Sequence, residues 1–256
     1  MTLVLNEIHV FDGFKQTLMV AAADRRISNR DGSYNSSRRK LFAIPRLRGA
    51  VSYFGVAAFP VQGRLIFLDE WLRFFIRRSK TNTLNDFAVS LREELNRQVP
   101  REVLRTQPSG FHICGYSPSD IPDFWFLSNI RAMSGFEYTD LHESYLEPAS
   151  HFLGRDAAAL GWGSAPSSPS HSGIQIYRNG DFRVHAFASE ALDGLLATLG
   201  QFPDFRQPLT PVEYGEYVRF KFEVIAYVYK RWAKKQIIAR PIDVLVLQAN
   251  GRAPSN

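Results

Sequence analysis

The chain has 256 residues, of which 45% are hydrophobic and 22% charged, enough to bury one substantial core or two small ones without disulfides. Its 31 basic and 25 acidic residues leave a net charge of +6, too small an excess for a polybasic nucleic-acid coat. The single cysteine, Cys114, excludes an internal disulfide framework and a cysteine-rich zinc module. The sequence shows neither a signal-peptide pattern nor an apolar run of the roughly 20 residues that a membrane span needs. It therefore predicts a soluble, cytoplasmic protein that does not bind membranes.

The first sixty residues predict a β meander. Its strands are Thr2–Val10, Thr17–Ala23, Lys40–Ile44 and Gly49–Phe54. Asp12-Gly13 and Asp31-Gly32 supply turn chemistry between them, because both residue types tolerate positive φ.

The periodicity then becomes helical. Apolar residues recur at spacings of three and four, as an amphipathic helix requires; they are Leu65, Leu68, Leu72, Phe75 and Ile76. A second helix is predicted to begin at Thr83, with Asp86 three residues on as its capping partner, and to end at Pro100. Two strands follow, at Gly110–Tyr116 and 123–130.

The last part of the chain predicts mixed structure. Residues 137–161 are predicted to be partly helical, with 156–160 the best stretch, and 163–173 form a Ser/Pro-rich loop. Asn179-Gly180 between alternating apolar runs predicts an inserted hairpin at about 174–186. Helices at about 190–199 and 212–235 and a strand at Asp243–Leu247 complete the chain. Strand groups separated by helices, without βαβ alternation, predict a single α+β domain over residues 1–256.

Several familiar chemistries lack their motifs. None of the six histidines forms a zinc-protease pair at i, i+4, there is no Gly-x-Ser-x-Gly elbow, and no glycine-rich phosphate loop joins a strand to a helix. We therefore expect no metal, no cofactor and no nucleotide site in this chain.

Thr2 is more informative, because its side chain is small enough for removal of the initiator methionine. Removal would place a free α-amine beside a hydroxyl on one residue. That amine has a pKa of about 7.7 to 8.0, so near neutral pH it can accept the hydroxyl proton. Thr2 is therefore a candidate nucleophile that needs no histidine.

Three segments near Thr2 carry a family resemblance. They are Val20-Ala-Ala-Ala-Asp24-Arg25-Arg26, Arg39-Lys40-Leu-Phe-Ala-Ile44 and Ala50-Val-Ser-Tyr-Phe-Gly55-Val-Ala-Ala58. Together with Thr2 this pattern resembles the proteasome β-subunit and HslV-type family of N-terminal-nucleophile hydrolases. Lys40 follows Asp24 by sixteen positions, which is the family's spacing. The later helices, the 110–126 hairpin and the closing strand resemble the family only in architecture.

The resemblance implies a fold and a set of roles. The fold is a four-layer αββα sandwich of two mainly antiparallel sheets. Thr2 would attack an amide carbonyl, Lys40 would lower the pKa of the attacking group, Asp24 would hold Lys40, and the Gly55 N–H would meet the oxyanion. Arg26 would be a structural support. The family's supporting serine and aspartate have three candidates, Ser128, Ser134 and Asp156.

Three functional readings remain open. The leading one is a peptide- or amide-cleaving threonine hydrolase that assembles as a homo-oligomeric ring, with any ATPase unfoldase as a separate partner. The second is a non-catalytic structural subunit of the same fold. The third, against which the missing aromatic stacking motif argues, is a nucleic-acid binder. Its basis is the arginine run Arg25, Arg26, Arg30, Arg38, Arg39, Arg46 and Arg48.

Overall fold

A computed structural model describes residues 2–11, 16–28, 33–148 and 173–249. In chain order its strands are β1 (Leu3–Phe11), β2 (Gln16–Asp24), β3 (Arg26–Ser28), β4 (Tyr34–Ser37), β5 (Leu41–Ile44), β6 (Gly49–Phe54), β7 (Ala58–Val61), β8 (Arg64–Phe67), β9 (Gly110–Tyr116), β10 (Pro122–Ser128), β11 (Ile130–Ser134), β12 (Glu137–Leu141), β13 (Gly173–Gly180) and β14 (Ile242–Gln248). Its α-helices are α1 (Leu68–Arg78), α2 (Leu84–Gln98), α3 (Arg101–Thr106), α4 (Arg183–Leu199) and α5 (Pro211–Trp232).

Two four-stranded antiparallel sheets form the body of the fold. The first has the order β13-β1-β2-β14 and joins the start of the chain to its end. The second has the order β10-β9-β6-β5. Three short hairpins, β3–β4, β7–β8 and β11–β12, lie outside both sheets. The predicted mixture of helices with mainly antiparallel strands is confirmed.

The β1 strand shows how the sequence builds both sides of the first sheet. Successive side chains of a strand point to opposite faces. Val4 and Ile8 accordingly join an apolar cluster with residues of the second sheet, such as Ala50 and Phe124. Leu3 and the alternate residues pack on the other side instead, against α5. With both faces covered, even the polar residues Asn6, Glu7 and His9 of β1 are buried.

The second sheet has a helical cover of its own. Phe111 and Val51 pack with Leu72 of α1 and with Phe87 and Leu91 of α2. The second sheet is therefore covered by α1 and α2, as the first is by α5. Burying this apolar surface stabilises the fold by about 25 cal/mol for each Å² removed from water.

Threonine side chains cap the starts of two helices, and the first of these caps was predicted. The Thr83 side chain accepts a hydrogen bond from the backbone N–H of Asp86, as its spacing predicts. At α5, Thr210 and Glu213 form a reciprocal capping box, with Pro211 in the first turn. These contacts satisfy backbone N–H groups that a helix N-terminus otherwise leaves unpaired.

Several sequence predictions are wrong in detail. The first sixty residues are not one meander, because β1 and β2 lie in one sheet and β5 and β6 in the other. Residues 137–141 form a strand, not part of a helix. The inserted hairpin at 174–186 is instead β13, an edge strand paired along β1, followed directly by α4. Leu65 belongs to β8 rather than to the first helix.

Some predictions fall outside the described residues, and some observed elements were not predicted. The turns at 12–13 and 31–32, the helical stretch at 156–160 and nearly all of the Ser/Pro-rich loop lie outside the described residues. The hairpins β3–β4 and β7–β8 and the helix α3 were not predicted. Within the described ranges, no helix is long and apolar enough to cross a membrane.

Candidate active site

The strand register brings the candidate residues to one edge of the two sheets. Thr2 precedes β1 and Asp24 ends β2, and these strands pair so that Val4 lies opposite Ala23. Thr2, just before the first strand of this pair, therefore lies beside Asp24, the last residue of the second. Lys40 precedes β5 in the second sheet, where its carbonyl accepts a hydrogen bond from the N–H of Tyr53 at 3.1 Å.

The Thr2 hydroxyl lies between a cation and a carboxylate. Lys40 Nζ donates to Thr2 Oγ1 at 2.6 Å, and the same hydroxyl donates to Asp24 Oδ1. Lys40 Nζ is 3.6 Å from Asp24 Oδ1. The oxygen of Thr2 therefore accepts from an amine while its proton points at an acid, an arrangement that polarises the hydroxyl.

The Asp24 carboxylate is completely buried and is held by the backbone. Its Oδ1 accepts from the N–H of Leu3 at 3.1 Å and its Oδ2 from the N–H of Arg26 at 3.0 Å. Burial raises the pKa of Asp24 above 3.8, against the opposing effects of Lys40 and these two N–H groups. Its direct contact with Thr2 adds to the expected role of holding Lys40.

Lys40 is buried as fully as Asp24. Besides Thr2, its ammonium group donates to the backbone carbonyl of Arg26. Burial lowers the pKa of Lys40 below 10.5, while the charge of Asp24 opposes this shift. The expected support from Arg26 is thus exerted by its backbone, since its N–H binds Asp24 and its carbonyl binds Lys40.

Gly55 lies in the wall of the same pocket as Thr2 and Lys40. The pocket has a volume of about 320 Å³. Gly55 has φ of +89°, and a Cβ on it would lie 1.8 Å from the carbonyl oxygen of Pro108. The turn after β6 therefore requires glycine on two grounds. The four expected residues thus form one constellation, with Thr2, Lys40 and Gly55 facing the pocket and Asp24 directly behind them.

A contact from the β13–α4 junction was missed at the level of sequence. The N–H of Asp181 donates to the carbonyl oxygen of Thr2 at 2.7 Å, and a Cβ on Gly180 would lie 1.8 Å from that oxygen. The Asp181 side chain is itself held by Arg183 through two hydrogen bonds at 3.0 and 2.6 Å. In the sequence, the pair Asn179-Gly180 was the available signal at this junction. Gly180 does have a positive φ, of +86°, but it packs against the Thr2 carbonyl and does not turn a hairpin.

Of the three candidates for the supporting serine and aspartate, the two that the structure describes do not join this constellation. Ser128 Oγ accepts from the N–H of Ile130 at 3.3 Å, a local turn contact. Ser134 ends β11 on the surface. Asp156 lies outside the described residues. Among the residues that the structure describes, no group of three or more His, Cys, Asp or Glu side chains could hold a metal ion.

Comparison with known proteins gives structural likeness without sequence likeness. No family model and no curated protein sequence matches the chain. It is similar to the Gly-1 mutant of Anbu from Hyphomicrobium sp. strain MC1, with 11% identity, a TM-score of 0.46, and coverage of 100% of this chain and 85% of that one. It is also similar to eukaryotic HslV from Trypanosoma brucei, with 13% identity, a TM-score of 0.42, and coverage of 96% and 99%. It is similar as well to Anbu (ancestral beta-subunit) from Yersinia bercovieri, with 10% identity, a TM-score of 0.45, and coverage of 96% of this chain and 81% of that one.

Proposed function

We propose that this protein is an N-terminal-nucleophile hydrolase that cleaves peptide or amide bonds with Thr2. The packing of helices against each of the two sheets supports assignment to the four-layer αββα sandwich. The observation that carries the proposal is the position of Thr2 Oγ1, 2.6 Å from the buried amine of Lys40 and in contact with the buried carboxylate of Asp24. Burying such a pair is costly unless its members are well paired, and here the shared partner is a hydroxyl that faces a pocket.

The reaction begins after removal of Met1 frees the α-amine of Thr2. The Thr2 oxygen attacks the carbonyl carbon of the substrate, and its proton, which is hydrogen-bonded to Asp24 before Met1 is removed, passes to the freed amine. The new oxygen–carbon bond leaves an oxyanion, whose collapse breaks the carbon–nitrogen bond as the leaving amine takes up the proton. Water then hydrolyses the acyl ester and restores Thr2.

Lys40 and Asp24 prepare the nucleophile. An ammonium at 2.6 Å stabilises developing negative charge on Thr2 Oγ1. Asp24 opposes the lowering of the Lys40 pKa by burial, and so favours the charged amine. The Gly55 N–H is proposed to donate to the oxyanion, and losing one donor of this kind costs about 3 kcal/mol of transition-state stabilisation.

Labelling of Thr2 tests the proposal directly. Intact-mass measurement should show loss of Met1, and a β-lactone or epoxyketone probe should add once to the wild-type protein, at Thr2. Thr2→Val is the matched control, because it keeps the branched shape and removes the hydroxyl. Retained Met1, or equal labelling of the valine variant, would leave the non-catalytic structural subunit as the better reading.

The same proposal extends to a homo-oligomeric assembly. Large apolar side chains are exposed along α4 and α5, among them Phe187, Leu195, Val212 and Trp232. Exposed apolar surface of this kind is typical of subunit contacts. Light scattering at increasing protein concentration should give a mass that is a multiple of 29.1 kDa, and a monomer at all concentrations would contradict the assembly. Any ATPase unfoldase would be a separate partner of that assembly.

A further inference from the structure

We propose that the pocket at Thr2 selects substrates with acidic side chains next to the bond that is cleaved. This inference rests on the proposed hydrolase function and names its substrate class. The basic residues that line the Thr2 pocket are Arg26, Arg38 and Lys40, and no aspartate or glutamate lines it among the described residues. A carboxylate entering the pocket therefore meets only positive charge.

A second pocket continues this basic surface on one side. It has a volume of about 520 Å³ and shares Ser36 and Arg38 with the Thr2 pocket. We call it the arginine pocket, because it adds Arg25, Arg39 and Arg73 to its lining against a single acid, Asp69. Arg25 pairs with Asp243 and Arg38 with Asp69 and Glu70. Side chains of an extended substrate that point this way would therefore meet a smaller excess of positive charge, from Arg39 and Arg73.

A third pocket continues it on the other side. It has a volume of about 900 Å³ and shares Ser28, Gly55 and Gln107 with the Thr2 pocket. We call it the lysine pocket, because Lys234 and Lys235 line it together with an arginine, and again no acidic residue does so within the described ranges. The Thr2 pocket thus shares lining residues with both other pockets, and we take the three together as the groove for an extended peptide.

Arg26 is the side chain best placed to read the charge of the substrate. Arg38 already pairs with Asp69 at 3.0 Å and with Glu70 at 2.9 Å, so its charge is largely balanced. The Arg26 guanidinium instead donates to Ser28 Oγ at 3.0 Å and lies 4.9 Å from the ring centre of Tyr34. It has no carboxylate partner among the residues that the structure describes, and it is therefore available to an acidic side chain.

The groove suits an acidic peptide better than a nucleic acid. Binding of single strands normally combines basic side chains with aromatic faces on which bases stack. The aromatic residues of the Thr2 pocket cannot serve in this way. Tyr53 and Phe54 are buried, and the guanidinium carbon of Arg38 covers the ring of Phe67 at 3.4 Å. The groove therefore offers basic side chains beside the proposed nucleophile Thr2, without exposed aromatic faces in the Thr2 pocket.

Substrate competition tests the inference on the full chain. Two blocked peptides with a fluorogenic amide are compared, one with Glu and one with Gln before the scissile bond. At low salt kcat/KM should favour Glu by about tenfold, the usual scale of a charge-assisted hydrogen bond. Arg26→Gln should reduce that ratio several-fold, because it removes the guanidinium and keeps the backbone groups that bind Asp24 and Lys40. Arg46→Gln is the control, because Arg46 donates to Asn82 at 3.1 Å and lines none of the three pockets.

A binding measurement separates this inference from the hydrolase proposal. In the Thr2→Val protein, fluorescence anisotropy should show an acidic peptide binding more tightly than its Gln-substituted twin. Lys234→Gln with Lys235→Gln should weaken only peptides long enough to reach the lysine pocket. Labelled Thr2 with equal cleavage of the Glu and Gln peptides would overturn the inference and leave the hydrolase standing. Tighter binding of single-stranded DNA than of the acidic peptide would also overturn it.

Discussion

Replacing Lys40 with methionine should destabilise the protein strongly. The variant keeps an unbranched side chain of similar size but leaves Asp24, which is completely buried, without its cation. At their separation of 3.6 Å and an effective dielectric constant of about 20, two unit charges attract by about 5 kcal/mol. Removing one partner of a buried pair typically costs about 3–5 kcal/mol. A loss of this size is a large share of the roughly 5–15 kcal/mol by which domains are stable.

The penalty should depend on pH in a defined direction. Burial already raises the pKa of Asp24 above 3.8, and Lys40 opposes that rise, so removing Lys40 raises the pKa further. An acid whose pKa is raised by folding stabilises the folded state fully below its unfolded pKa and loses that contribution as pH rises through the folded value. The destabilisation of Lys40→Met should therefore be smallest at acid pH and should grow towards neutral pH, then shrink again at alkaline pH, where Lys40 of the wild type loses its charge because burial lowers its pKa.

Urea unfolding followed by tryptophan fluorescence from pH 5 to 9 measures this effect. Lys230→Met is the matched control, because Lys230 is an exposed lysine of α5 and should change stability by less than about 0.5 kcal/mol. The double variant Lys40→Met with Asp24→Leu should recover much of the loss, since no charge is then left buried. A penalty below about 1 kcal/mol, or one independent of pH, would show that the two groups are not paired as charges in the folded protein.

Three further outcomes follow from the same geometry. Gly55→Ala should lower the free energy of unfolding by at least about 2 kcal/mol in a chemical denaturation experiment. Gly63→Ala should cost clearly less, because Gly63 also has a positive φ, of +77°, but has nothing within 4 Å of an added Cβ. Equal effects of the two variants would contradict the steric argument. Gly180→Ala should displace the Thr2 carbonyl and slow labelling of Thr2 by a β-lactone, and an unchanged labelling rate would contradict that link. Burial raises the pKa of Cys114 to about 12, so its thiol should react with Ellman's reagent only after unfolding, and rapid reaction of the native protein would be inconsistent with its burial.

The fold was predictable where one periodicity dominated. Strands such as β6 and β9 and the helix α2 have apolar patterns that allow one interpretation, and the structure gives them nearly the predicted bounds. Residues 181–186 alternate in polarity like a strand, yet they open a helix. The reason is tertiary, because β13 already has its partner in β1 and Phe182 and Val184 pack against the α5 cluster. Local alternation cannot reveal that competition.

The sequence could predict the residues whose side chains form the candidate site, but not the contacts that backbone groups make there. Thr2, Asp24, Lys40 and Gly55 have a recognisable order and spacing, and the strand register then places them together. The contact from Asp181 joins two backbone groups, so no residue type announces it in the sequence. The arginine run was likewise ambiguous, since lining a pocket and pairing on the surface require the same side chain.

Lysine is scarce in this chain, and the two buried lysines among the described residues show what distinguishes a structural charge from a reactive one. Lys221 of α5 is as buried as Lys40, but its amine pairs with Glu7 at 2.7 Å and with Asp193 at 3.3 Å. Those two carboxylates, from β1 and α4, hold the ammonium of α5 in place. Lys40 has one carboxylate at the longer distance of 3.6 Å, and its closest side-chain partner is the hydroxyl of Thr2. Its remaining attraction for negative charge is therefore directed at the oxygen that the proposed reaction makes negative.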